Sequence, residues 1–112
     1  MTEIQYSIAR HFSPTPGPRF SRQGPYSGES LRAKLVKLLD ESDAIVTVDL
    51  DGTRGFGSSF LDEAFGGLVR SEHKAKNDIL RRFKFKSTVD PSYIAEILES
   101  IQRAEPAIDT AH

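Results

Sequence analysis

The stretch from Ala44 to Arg70, AIVTVDLDGTRGFGSSFLDEAFGGLVR, constrains the fold of this chain more than any other. Ala44 to Val48 are all apolar or β-branched, the composition of a central strand rather than a half-wet edge. A short acidic, glycine-rich segment, Leu50 to Gly57, follows, and Ser58-Ser59 stands at the mouth of an amphipathic helix. That helix is expected from about Ser59 to Ser71, with Phe60, Leu61, Ala64, Phe65, Leu68 and Val69 as its buried stripe. Ser59 is the predicted N-cap, with Asp62 three residues on in an imperfect capping box. Strand, polar loop and helix start, in that order, put free backbone N–H groups and the positive end of a helix dipole at the loop. Two functional readings compete here. One is a catalytic aspartate motif, Asp49-Leu50-Asp51-Gly52-Thr53; the other is a regulatory serine site, Ser58-Ser59.

Gly66-Gly67 lies inside the expected helix, where each glycine costs about 1 kcal/mol relative to alanine. Close approach of another backbone is the usual reason for a helix to accept that.

The rest of the chain supplies partners for this unit. Ile4, Tyr6 and Ile8 alternate with polar residues, predicting a first strand from about Glu3 to Phe12. Pro14, Pro16, Gly17 and Pro18 break it, and Arg19 to Arg22 reads as a short return strand of a loose hairpin. Ser27 is an N-cap candidate for a helix with Leu31, Leu35, Leu38 and Leu39 on one face, ending near Asp40 to Ser42. Arg82 to Thr88 alternates Phe83 and Phe85 with basic residues, the pattern of a strand with one wet face. Asp90 as N-cap and Pro91 at the first helical position open a last helix with Ile94, Ile97, Leu98 and Ile101 on its apolar face, stopped by Pro106. The order β-β-α-β-α-β-α predicts an α/β fold, a small mixed β-sheet with about three helices packed mainly on one face. Residues 1–105 are read as a single domain and 106–112 as a frayed tail.

Composition removes several functional classes. At 112 residues the chain makes one domain, whose core buries roughly two-thirds of the unfolded surface and leaves little room for a cofactor-sized cavity. With no cysteine there are no disulfides, thiolate zinc sites or cysteine nucleophiles. His11, His73 and His112 show no metal-ligand spacing, and no cofactor is expected. Net charge is −1, unevenly spread: residues 70–86 hold seven basic and two acidic residues, and residues 87–112 hold one basic and five acidic. Both blocks read as a solvated strand edge and helix face. Aromatics interleaved with Lys and Arg in Arg81 to Lys86 can stack nucleic-acid bases. Phe83 and Phe85 share one face, however, and the core needs it, so nucleic acid is not the expected partner. The longest apolar run is too short for a bilayer, and the N-terminal MTEIQYSIAR has no signal-peptide core. A cytoplasmic location is expected.

The Asp-x-Asp-Gly-Thr run at a strand end resembles the first motif of haloacid-dehalogenase-type phosphatases. That resemblance makes Asp49 a nucleophile and Asp51 a general acid/base beside Mg²⁺. The family also uses a downstream lysine and an acidic pair at the end of a later strand. Here Asp62-Glu63 lies inside the helix after the loop, and a hairpin and helix precede the motif instead of following it. The plain structural reading is a strand exit followed by an Asp-Gly turn.

AIVTVDLDGTRGFGSSFLDEAFGGLV is also similar to the strand–loop–helix core of STAS domains, the fold of bacterial anti-sigma factor antagonists. There the loop ends in Asp-Ser-Ser-Gly, and the second serine is phosphorylated by a kinase-like ATPase partner. The nearer resemblance is to a STAS-like family of domains of unknown function. Its Ser-Gly-Glu before the first helix matches Ser27-Gly28-Glu29, and its Ser-Phe-x-Asp-Glu in the second matches Ser59-Phe60-Leu61-Asp62-Glu63. Two positions depart from the antagonist pattern: Gly57 stands where its aspartate would be, and Phe60 where its glycine would be. The resemblance implies a non-enzymatic, STAS-like regulatory module that binds a protein, with a kinase-type ATPase as the candidate partner. It implies Ser59, with Ser58 beside it, as phosphoacceptor, and a partner-binding loop of Asp51, Arg54, Gly57, Phe60 and Glu63. The Mg²⁺-dependent phosphatase is the alternative. Asp62-Glu63 needs no function of its own, since acids in a first helical turn are favoured by the dipole.

Overall fold

The computed structural model describes residues 2–108. Three strands, β1 (Glu3–Ser7), β2 (Ile45–Asp49) and β3 (Phe83–Lys86), form one sheet in the order β1-β2-β3, with β2 central as its apolar run predicts. Both pairings are parallel. The α/β class stands, but the sheet is parallel throughout rather than mixed, because the expected return strand does not form. Residues Ser21–Gln23 wind instead into a short 3₁₀ turn. There the Phe20 N–H donates to Gln23 Oε1 at 3.0 Å within the turn, and the Ser21 N–H to Glu29 Oε1 at 2.9 Å, which holds the segment against a helix rather than a strand.

The first strand is shorter than its alternation suggests. Ser7 accepts a hydrogen bond from the Arg10 N–H and caps a single helical turn, α1 (Ile8–His11), which drives Ile8 fully into the core. The long helix α2 (Gly28–Glu41) opens on Ser27, whose side chain accepts from the Ser30 N–H, as its cap residue predicts. After β2 a composite helix runs through α3 (Ser58–Leu61), a π-helical turn (Asp62–Gly66) and α4 (Gly67–Arg70). A seven-residue helix that the alternation of Phe83 and Phe85 gives no hint of, α5 (Lys76–Arg82), leads into β3, so Arg82 ends a helix rather than starting a strand. Its buried guanidinium donates to the carbonyls of Ala44 at 2.8 Å and Ser42 at 2.7 Å, closing the connection from α2 to β2. The last helix, α6 (Ser92–Arg103), follows Asp90, whose Oδ1 accepts from the Ser92 N–H at 3.0 Å, with Pro91 already in helical geometry. Ala107 donates to the Arg70 carbonyl at 2.9 Å; the remainder of the expected tail, 109–112, lies outside the described residues.

The register sets Ile4, Val46 and Phe83 side by side, and likewise Tyr6, Val48 and Phe85. These six face the helices and join Leu31, Leu35, Phe60, Phe65, Leu68, Ile97 and Ile101 in one core. Phe65 meets Phe83 and Phe85 edge-on, so the two strand phenylalanines are core residues and not a base-stacking platform. The opposite face carries Gln5, Thr47 and Lys84 in one row and Ser7, Asp49 and Lys86 in the next, all exposed or half-buried. Parallel sheets are usually covered on both faces. Here both crossovers step the same way across the sheet, and connections of one hand then lay their helices on one side.

Candidate functional site

The loop between β2 and α3 emerges at the C-terminal edge of the sheet. Leu50 is pinned under it, buried and bonded through its N–H to the Lys86 carbonyl at 2.8 Å. Asp49 Oδ1 accepts from the Asp51 N–H at 2.9 Å, and Lys86 Nζ stands 3.8 Å from Asp49 Oδ2. The Asp51 carboxylate reaches across to the β3–α6 turn. It accepts from the Thr88 N–H at 2.9 Å, the Thr88 hydroxyl at 2.7 Å and the Val89 N–H at 3.1 Å. These donors, the Thr88 hydroxyl foremost, hold the Asp51 carboxyl below the usual carboxylate range. Asp51 therefore clamps two loops together.

Between the clamped loops lies a cleft of about 260 Å³ whose walls include Asp51, Thr53, Arg54, Gly55, Val89 and Tyr93. Gly52 (φ 90°) and Gly55 (φ 126°) take backbone conformations that other residues rarely adopt. A Cβ on Gly55 would also lie 2.9 Å from the Tyr93 hydroxyl. Beneath the loop a row of rings, Tyr26, Phe12, Phe60, Phe56 and Tyr93, runs from the start of α2 to the start of α6, each ring 5.1 to 6.2 Å from the next.

The serine pair sits on the outside of this row. Ser58 is the first residue of α3, and the cap position belongs to Gly57 (φ −74°, ψ 150°), which has no side chain to offer. Ser59 is therefore the second residue of the helix, not its N-cap. A cap needs extended backbone at the serine, and here that geometry falls two residues earlier. Ser58 Oγ donates to Glu96 Oε1 of α6 at 2.6 Å. Ser59 is exposed, with no hydrogen bond from its hydroxyl among the described residues.

Asp62 makes no capping box either, because it and Glu63 face an arginine cluster. Arg19 Nη1 lies 3.1 Å from Asp62 Oδ2 and 3.0 Å from Glu63 Oε1. Arg32, on α2, pairs with the other Glu63 oxygen and with Glu72 Oε2 at 3.1 Å. Arg70 and Arg103 close on Asp62 at 3.3 and 3.2 Å. Glu63 is 6% exposed and Arg32 9%, so this pair is removed from water. Burial alone would raise the Asp62 carboxyl, but the surrounding arginines outweigh it and hold it below its ordinary range. What Asp62 adds to stability is thus fully present above the ordinary carboxylate range and lost as pH falls below that range through the lowered folded-state pKa.

The diglycine makes room for the same cluster. A Cβ on Gly67 would lie 2.7 Å from Arg32 Nη1 and 2.9 Å from its Cδ, so its neighbour is a side chain rather than the expected backbone. Gly66 does meet backbone, with the Ser100 carbonyl oxygen 3.3 Å from a Cβ there, alongside Arg70.

Of the five loop residues proposed as a partner surface, Arg54 and Gly57 are exposed and Asp51 is half-buried, while Phe60 and Glu63 are inside the protein. Arg19, Arg32, Arg70, Arg103 and Glu96 carry no motif signal. One clue was present: Arg32 and Glu63 occupy buried-face positions of their helices, where a charge needs a buried partner. Among the described residues no three of His, Asp and Glu are grouped to hold a metal ion, and no helix is long and apolar enough to cross a membrane.

A one-sided parallel sheet with a strand–loop–helix unit at its core is a STAS-like α/β architecture. The chain belongs to the family described as STAS-like domain of unknown function (DUF4325), whose model matches residues 27–93. That span opens on the Ser27 cap and closes on Tyr93 at the cleft. No curated protein and no solved structure matches the chain significantly.

Proposed function

We propose that this STAS-like domain is a non-enzymatic regulatory module that binds a protein partner through the β2–α3 loop and is switched by phosphorylation at Ser59. The observation that carries the reading is the placement of Ser59. It is exposed and uncommitted, one residue from a buried phenylalanine, in the first turn of α3 at the end of the loop that Asp51 ties to the β3–α6 turn. Arg54 and Gly57 extend the same surface, and a kinase-type ATPase is the partner class that the STAS resemblance favours. The module would work in the cytoplasm within a signalling circuit.

Because Ser59 is not a cap, both Ser59→Ala and Ser59→Asp should change folding stability by less than about 0.5 kcal/mol. A carboxylate in the first helical turn is if anything favoured by the dipole. Binding should separate them. A partner recovered by affinity capture from the native cell, with intact-mass analysis of the recovered domain, should bind Ser59→Ala like wild type and Ser59→Asp more weakly. Equal binding by all three would remove the switch and leave Ser59 without a role.

The phosphatase alternative gains nothing from Asp51, whose oxygens face the donors of Thr88 and Val89. A generic phosphomonoester with Mg²⁺ should show no turnover above background. Turnover that disappears in Asp49→Asn would make the phosphatase the leading reading.

A further inference from the structure

We propose that Ser58 and Glu96 form a charge-sensitive clasp between the β2–α3 loop and α6, so that the two adjacent serines have different roles. The Ser58 to Glu96 distance of 2.6 Å is that of a hydroxyl donating to a carboxylate, a short charge-assisted hydrogen bond at the protein surface. It joins segments 38 residues apart. Two residues before Ser58, Phe56 meets Tyr93 edge-on at 5.1 Å, and Tyr93 lies three residues before Glu96, on the same face of α6. The polar bond and the ring contact thus make one patch, and Tyr93 is also a wall of the cleft.

The sign of the contact depends on one proton. While Ser58 is a neutral hydroxyl it donates, and loop and helix attract. A negative group on that oxygen removes the donor and sets an anion against the Glu96 carboxylate. Attraction becomes repulsion at a contact that also positions Tyr93. Ser59, whose hydroxyl faces no such partner, can carry charge without disturbing α6. The clasp's regulatory meaning rests on the partner-surface reading, whereas its mechanics rest on this geometry alone, so the two can fail separately.

Amide hydrogen exchange on the full chain tests the mechanics without any partner. In Ser58→Asp, exchange across α6 and the Phe56 to Phe60 segment should rise on the order of tenfold, because these amides exchange through local opening. Adding Glu96→Gln removes the facing charge and should return those rates to within about twofold of the Glu96→Gln single variant, a rescue that a simple packing defect would not show. Ser59→Asp should stay within about twofold of wild type. Wild-type exchange in Ser58→Asp would overturn the clasp. So would a rise in Ser58→Asp that Glu96→Gln leaves unchanged, or an equal rise in Ser59→Asp.

Discussion

Glu63→Ala should lower the unfolding free energy by about 3 kcal/mol, at the low end of the range for breaking a buried ion pair from one side. The loss is mainly the cost of leaving Arg32, itself buried, without the carboxylate that neutralises it. Arg32 keeps Glu72 at 3.1 Å and the Glu63 backbone carbonyl at 3.3 Å, which is why the low end applies. In a domain of this size the change corresponds to a fall in melting temperature of about 10 °C or more. Glu63→Gln, which keeps shape and acceptor oxygen, should fall by less. A melting temperature within about 3 °C of wild type for Glu63→Ala would mean that the buried Glu63–Arg32 pair contributes little to the fold.

Gly28→Ala should be destabilising by about 1–3 kcal/mol, although alanine is the better helix former. The added methyl would sit 2.5 Å from the Phe60 carbonyl oxygen and 3.0 Å from Glu63 Cβ, and a backbone carbonyl in a packed helix cannot yield as a flexible side chain can. Overpacking therefore outweighs the propensity gain, which is under about 1 kcal/mol and smaller still at a helix terminus. Gly57→Ala is the control. A Cβ there meets nothing within 4 Å, so only the poorer N-cap preference of alanine opposes the gain in backbone rigidity, and the change should cost under about 1 kcal/mol. Thermal unfolding of the two variants side by side decides it. Equal melting temperatures would show that α2 and the composite helix are not in close contact at Gly28.

Both results bear on the two segments that carry the resemblance, Ser27-Gly28-Glu29 and Ser59 to Glu63. Ser27 caps α2, Gly28 admits the Phe60 carbonyl, and Glu29 holds the 3₁₀ turn through the Ser21 N–H. In the second helix Phe60 enters the core while Asp62 and Glu63 gather the arginines. The two segments touch each other at Gly28, Phe60 and Glu63, so most of their residues specify how two helices meet. Ser59 has an exposed, uncommitted side chain.

The sequence by itself determined the elements whose signals are local. Five consecutive apolar or β-branched residues make β2 central, and Ser27 opens α2 where a cap serine can satisfy a free N–H. The alternation of Phe83 with Phe85 marks the inner face of β3. Periodicity and capping act over a few residues and leave a readable trace. The tertiary structure decided what depends on partners far away in the chain. Arg19 to Arg22 has the composition of a strand but pairs with neither outer edge of the sheet, and it docks on α2 through Glu29 instead. Ser59 looks like a cap, but the cap geometry falls on Gly57, two residues earlier, and Ser58 meets Glu96 across 38 positions. Glu63 has the look of a surface acid, and it is inside because Arg19 and Arg32 arrive from more than 30 residues away to neutralise it. Charge is read locally as solvent-facing, and whether a counter-charge meets it in the interior depends on how the helices pack.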